Sequence, residues 1–304
     1  MIYCPSMNPG YLSLKNTGIQ IEFFEPAISF YITIKYRNKY STLGSKTAIL
    51  IIINSFFEIL HQSGHFLFIF ISGSGINFIP FKKAILFHIH SIIGFYSSLL
   101  MINTLSFDRL LSALLPIFYN NIKQTKYICI HFIIIITLNC YVIIRIILTV
   151  NNLPEWPVNG SVADSIGMIS YSNSPFIFVP SLICYLIVGL IIKFRTVITN
   201  IEMKKLYRSL FLIIFINAGG YMFGIGLIYF NIQNIIKNQF IFIQFGILIG
   251  LILNIASSSN APILIINSND YRNAYKKEFT FIKQKIFKLF SINQQIKPTI
   301  VTRV

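Results

Sequence analysis

A chain of 304 residues that is 55% hydrophobic and 11% charged, with a mean hydropathy of +0.69, is not a soluble globular domain, whose surface needs about a quarter of its residues charged. The formal net charge of +16 would suit nucleic acid if the basic residues shared one soluble face; they sit instead between apolar runs of membrane-spanning length, so the partner they imply is a lipid bilayer and not nucleic acid. Four cysteines, Cys4, Cys129, Cys140 and Cys184, are too few and too scattered for a disulfide framework or a metal site.

In chain order, Met1 to Gly10 lacks the basic start and apolar stretch of a signal peptide, so insertion is expected to rely on the spans themselves. Residues 1–18 are expected to form an external amino terminus, 19–266 a seven-span domain, and 267–304 a cytoplasmic tail. The first span, about Ile19 to Ile34, is weak: Glu22, Glu25 and Pro26 interrupt it, leaving either a short crossing helix or a degraded one. Six further stretches meet the requirement of roughly 20 mostly apolar residues: Ala48 to Ile71, Ala84 to Phe107, Tyr127 to Val150, Pro175 to Phe194, Leu210 to Phe230, and Phe240 to Ile266. The expected fold class is thus an all-α membrane protein, a seven-transmembrane helix bundle. The tail interleaves Tyr271, Tyr275, Phe279, Phe281 and Phe287 with lysines; Asp270 to Phe290 reads as an amphipathic helix lying on the anionic inner leaflet, a disordered basic tail being the alternative.

Cytoplasmic loops carry the excess of Lys and Arg. With the amino terminus outside, the inner side collects the basic residues between Lys35 and Lys46, then Arg109, Lys123 and Lys126, then those from Lys193 to Arg208, and all those of the tail. The outer side keeps Lys15, Lys82, Lys83 and Lys237. Asn159-Gly160-Ser161, a glycosylation acceptor pattern, falls on the outer side by this count, in a loop from Asn151 to Ser174 without Lys or Arg.

Ionisable groups inside a bilayer are costly unless paired or facing a cavity, so each is a functional candidate. Asp108 and Arg109 close the third span, with Pro116 expected to open a loop; the carboxylate can hold its neighbouring guanidinium by a charge-assisted hydrogen bond. Glu58 lies roughly 15 Å into the second span, with Asn254 or Asn260 as conceivable partners. Arg145 is close enough to the outer end of its span to reach the headgroups. His88, Ser91 and Phe95 share one helical face in the outer part of the third span and read as a ligand wall together with Phe176, Tyr221 or Gln244, helix packing being the plainer reading. No further metal ligand joins the histidines, and no phosphate loop, Ser-His-acid set or HExxH pattern is present, so neither an enzyme nor a cofactor is expected. Gly219, Gly220 and Gly224 allow close approach or a bend in the sixth span. A transporter or channel would want charges lining several spans or matched broken helices, and this chain has no repeat.

Taken together these motifs resemble the rhodopsin-like G-protein-coupled receptors, and most closely the nematode Srsx class of serpentine chemoreceptors. The resemblance rests on Phe107-Asp108-Arg109-Leu110-Leu111-Ser112-Ala113-Leu114-Leu115-Pro116-Ile117-Phe118-Tyr119, on Asn260-Ala261-Pro262, on Ser268 to Tyr275, and on Glu58 as the acidic position of the second helix. It implies a receptor that binds a small external molecule and activates a heterotrimeric G protein through its inner face, from the plasma membrane. By that resemblance Asp108 and Arg109 act as the switch, Pro262 bends the last helix, and Tyr271 opens the helix along the membrane. The chain departs from the pattern in having Ile265 three residues after Pro262, no Trp or Pro in the sixth span, and no cysteine pair tying the third span to the following outer loop. Ser91 stands where aminergic receptors carry an acid, which argues against a biogenic amine ligand.

Overall fold

The computed structural model describes residues 25–76, 78–158, 160, 162, 165, 166, 169, 179–194, 212, 216, 219 and 259–295. Among them, α1 covers 25–36, and a 3-10 turn, Ser41–Gly44, leads into α2 (Lys46–Ser63). Then come α3 (His65–Gly73), α4 (Phe81–Leu114), α5 (Pro116–Asn121), α6 (Gln124–Asn152), α7 (Val179–Phe194), α8 (Asn260–Asn267) and α9 (Asn269–Gln295). Two short antiparallel strands, Ile79–Pro80 and Pro157–Val158, pair Ile79 with Val158 and Pro80 with Pro157.

The second span starts where Ser45 caps α2, its side chain accepting a hydrogen bond from the Ala48 amide at 3.2 Å. It breaks at Gly64 into α2 and α3, a division that the continuous apolar run from Ala48 to Ile71 does not announce. The break sits where the span crosses α4 most tightly: a Cβ on Gly64 would lie 2.4 Å from the Ser91 side chain and 2.7 Å from Val162. Gly94 of α4 supplies a second close approach, since a Cβ there would lie 2.7 Å from both the Phe57 carbonyl oxygen and the His61 amide nitrogen. Gly94 thus brings the backbones of α4 and α2 together as small residues do in membrane interfaces, while Gly64 makes room for the Ser91 side chain.

α4 is the axis of the bundle. Its 34 residues span about 51 Å at 1.5 Å per residue, well beyond a hydrocarbon core of about 30 Å. Hydropathy detects only the part in lipid, Ala84 to Phe107; the helix continues to Leu114, so Asp108 and Arg109 lie within it and not at its end. The loop expected from Pro116 is also a helix, because proline at the first helical position gives up an amide that has no partner there and starts α5. α6 lies at the rim, with Ile133, Ile136, Ile144 and Leu148 exposed, as a lipid-facing helix requires.

One core, around Ile32, Leu43, Leu50, Leu99, Met101 and Leu264, joins α1, α2, α4 and the last elements; a second, around Phe81, Ile92, Val142, Ile146 and Val162, fills the opposite end of α4. Of the fifth to seventh spans, α7 covers the described part of the fifth, Leu212, Ile216 and Gly219 lie in helix in the sixth, and α8 ends the seventh.

The weak first span is helical from residue 25, and its polar interruption has a use. Glu25 accepts a hydrogen bond from the Ala261 amide at 2.7 Å, satisfying one of the donors left open in the first turn of α8. Pro262 follows in that same turn, where its missing amide is tolerated. Arg272 donates from Nε to the Ile265 carbonyl at 3.1 Å and from Nη2 to that of Ile266, closing the other end of α8. The tail forms a helix longer than the expected Asp270 to Phe290, with Tyr271, Ala274, Tyr275 and Glu278 buried against α1 and the 3-10 turn.

Candidate functional site

Asp108 is fully buried and Arg109 is 5% exposed. A lone carboxylate in such a place would be prohibitive, so the arrangement of donors around it is the central fact of the site. Thr47, at the start of α2, donates to Asp108 Oδ2 at 2.8 Å. Tyr119 of α5 and Tyr127 of α6 donate to Oδ1 at 2.9 and 3.0 Å. Arg109 Nη2 stands 3.3 Å from Oδ2, and among the described residues the Arg109 Nε has no acceptor. The carboxylate therefore ties three elements to α4 and holds its neighbouring guanidinium by a single long contact.

Local structure explains how the donors converge. α5 turns the chain back immediately after α4, with the Tyr119 amide bonded to the Leu115 carbonyl at 2.9 Å, and this presents the Tyr119 ring to Asp108. Lys46 caps the outside of the web: its ammonium donates to the Tyr119 carbonyl and lies 4.5 Å from the ring centroid of the same tyrosine. Burial, and then the negative charge of Asp108, push the Tyr119 hydroxyl well above its ordinary pKa, so it stays a donor. Tyr127 packs edge-on against Tyr119 at 5.8 Å and against the buried His131 at 4.6 Å. Thr47, Tyr119 and Tyr127 carry no role in the sequence reading. The signal available was a polar residue at the inner end of each neighbouring span, which becomes specific only once the helices are placed.

Tyr271 is 3% exposed in the same core. Burial pushes its hydroxyl up to about 12, against the opposing influence of Thr33 and of the Arg109 charge. Pro262 lies in the first turn of α8.

Deeper in the second span, Asn54 Nδ2 donates to Glu58 Oε1 at 2.8 Å, one turn away on the same helix. Asn254 lies outside the described residues, as does the side chain of Asn260. Toward the Phe81 end of α4, His88 and Ser91 are fully buried. His88 Nδ1 lies 2.8 Å from Ser165 Oγ, and Ser91 donates to the His61 carbonyl at 2.5 Å while packing on Gly64. Phe95 lies 5.0 Å from the His61 ring. Ser91 thus makes a helix-to-helix contact, and the face it shares with His88 is covered by the loop following α6. Tyr221, Phe176 and Gln244 lie outside the described residues, and so does Asn159. Arg145 bonds the Ile169 carbonyl at 3.1 Å, a contact within the protein where headgroups were expected.

The same loop is tied to α4 without cysteine. The Phe81 amide donates to the Trp156 carbonyl at 2.8 Å and that of Lys82 to Pro154 at 3.0 Å, next to the paired strands. Gly160, at φ +77°, then turns the chain inward, where a Cβ would lie 2.3 Å from Ile71. Cys129 and Cys140 are exposed and, like Cys184, unbridged.

No curated protein matches the sequence. The profile of the serpentine type 7TM GPCR chemoreceptor Srsx family matches residues 27–279, from the first helix into the opening turns of α9. The chain therefore belongs to the Srsx family of serpentine seven-transmembrane chemoreceptors, multi-pass plasma-membrane proteins of the receptor class.

Proposed function

We propose that this receptor binds a small external molecule and activates a heterotrimeric G protein through its inner face, with the amino terminus outside and the carboxyl terminus in the cytoplasm. The observation that carries the proposal is the Asp108 web: one buried carboxylate gathers hydroxyls from α2, α5 and α6 and leaves Arg109 with one 3.3 Å contact to its neighbour. In that state the inner ends of the helices are drawn together. When they part, the hydroxyls leave, the Arg109–Asp108 contact opens, and the guanidinium is free to meet a helix of the G protein. Tyr271 lies where the Arg109 charge is felt and Pro262 stands in the first turn of the helix that leads to it, so we assign α8 and α9 a part in the same movement. Ligand action is assigned to the outer end of α4, to His88, Ser91 and Phe95, and by the sequence pattern to Tyr221 of the sixth span; Glu58 is assigned an intramembrane polar role, with Asn254 and Asn260 as its candidate partners from the sequence. The Lys and Arg distribution and the acceptor Asn159 support this orientation.

Arg109→Ala, expressed with a G-protein reporter, should abolish coupling while surface expression persists. Undiminished signalling by a variant present at the surface would remove Arg109 from the switch.

A further inference from the structure

Where the chain leaves α1 and where α9 begins, cations are brought together with too few carboxylates between them. Lys35 is matched: its ammonium lies 2.8 and 2.9 Å from the two oxygens of Glu278, which also accepts from Tyr36 at 3.0 Å and Tyr31 at 3.3 Å. Glu278 is thereby fully engaged. Lys277, the residue before it, has its ammonium 5.7 Å from the Tyr36 ring centroid, and Lys39 has its ammonium 5.7 Å from that of Tyr40. The two rings are only 6.1 Å apart, so the two lysines are held side by side. The neighbouring Lys39 ammonium lowers the pKa of Lys277, and among the described residues neither has a carboxylate partner within 4.0 Å. Asp270, the other acid of this region, bonds the Thr42 hydroxyl at 2.7 Å. Like charges in contact on a protein surface repel, and a multivalent anion between them would turn that repulsion into attraction.

We propose that Lys39 and Lys277, with Lys35 behind them, form a binding site for a phosphorylated inositol headgroup carried on an inner-leaflet lipid. Adjacent phosphate groups on one ring need several convergent ammonium donors, which a single lysine on a flat surface does not offer. The lipid is preferred over a soluble inositol phosphate because the site opens onto apolar surface. Phe279, Phe281 and Ile282 are 54%, 54% and 43% exposed, and the Phe281 ring centroid lies 5.3 Å from the Lys35 ammonium, so acyl chains below a bound headgroup would cover them.

The placement beside the inner leaflet rests on the orientation proposed above, but a test in bilayer discs, which expose both faces, does not. Full-length receptor in phosphatidylcholine discs should retain a fluorescent phosphatidylinositol bisphosphate. Lys39→Ala with Lys277→Ala should weaken retention about thirtyfold, while the equally charged pair Lys283→Ala with Lys285→Ala, further along α9, should cost less than about threefold. Lys39→Arg with Lys277→Arg should retain the lipid, and the exposed positions of both lysines predict unchanged unfolding temperatures. Equal losses for the two alanine pairs would reduce the effect to general attraction of a basic helix and overturn the site. Soluble inositol trisphosphate held as tightly as the lipid would overturn the lipid as occupant. Failure of these binding results counts against the site alone, whereas a carboxyl-terminal tag reached from outside intact cells counts against the orientation.

Discussion

The two ends of α4 are fastened by different physics. At the end proposed to lie outside, the helix is held by shape: Gly94 lets two backbones touch, Gly64 makes room for the Ser91 side chain, Ser91 bonds a main-chain carbonyl, and paired strands and amides tie the next loop to Phe81 and Lys82. At the end proposed to lie inside, it is held by side-chain hydrogen bonds converging on one carboxylate. Packed backbones have no second arrangement of similar energy, while hydroxyls can exchange one acceptor for another or for water at little net cost. A fixed clamp at one end and a releasable one at the other is the division that the proposed signalling role needs.

Substitutions at either end test that contrast. The largest effect is expected from Gly94→Val, which drives side-chain carbons into the Phe57 carbonyl and the His61 amide; destabilisation of about 3 kcal/mol or more should appear as loss of folded receptor on detergent size-exclusion chromatography. Normal yield from that variant would mean that α2 and α4 do not approach as closely as described. Asp108→Asn keeps the shape and removes the charge, so three hydroxyls and a guanidinium lose their common anion; basal reporter activity should rise about tenfold or more at unchanged yield. A rise in yield-corrected activity confined to the outer-end variants would invert the comparison. Tyr127→Phe removes one donor of the web and should raise basal activity about fivefold, leaving ligand affinity near its original value.

The smallest effect belongs to the α1–α9 contact. Burial alone would raise the Glu278 pKa, but the hydrogen bonds from Lys35 and Tyr36 outweigh it and hold the carboxyl below its ordinary value of 4.5. A group that binds its proton less tightly when folded contributes its stabilisation above the ordinary value and loses it as the pH falls through the lowered one. The Lys35 pKa is raised, chiefly by the same Glu278 contact, so the lysine remains charged throughout that range. Amide exchange in α9 should therefore quicken on acidification below 4.5, and Glu278→Gln should flatten that dependence.

Much of this architecture is legible in the residue pattern. Among the described residues the third and fourth spans follow from length and hydropathy, and the family resemblance from Asp108-Arg109, Asn260-Ala261-Pro262 and Glu58. The pattern fails where a feature depends on which helices meet. An apolar run reads the same on either side of Gly64, so the break between α2 and α3 is invisible until Ser91 is found against it. Thr47, Tyr119 and Tyr127 are ordinary polar residues at span ends until all three point at Asp108. Glu25 looks like a defect in a poor first span because hydropathy counts its charge and has no means of knowing that Ala261 offers an amide 236 positions later.

That last contact bears on how the polypeptide is assembled. The first described helix draws part of its fastening from Ala261 and Glu278, 236 and 242 residues further along the chain from the groups they bond. Those bonds can close only after the intervening spans have been made, and until then its glutamate and lysine wait without the hydrogen-bonding groups that satisfy them.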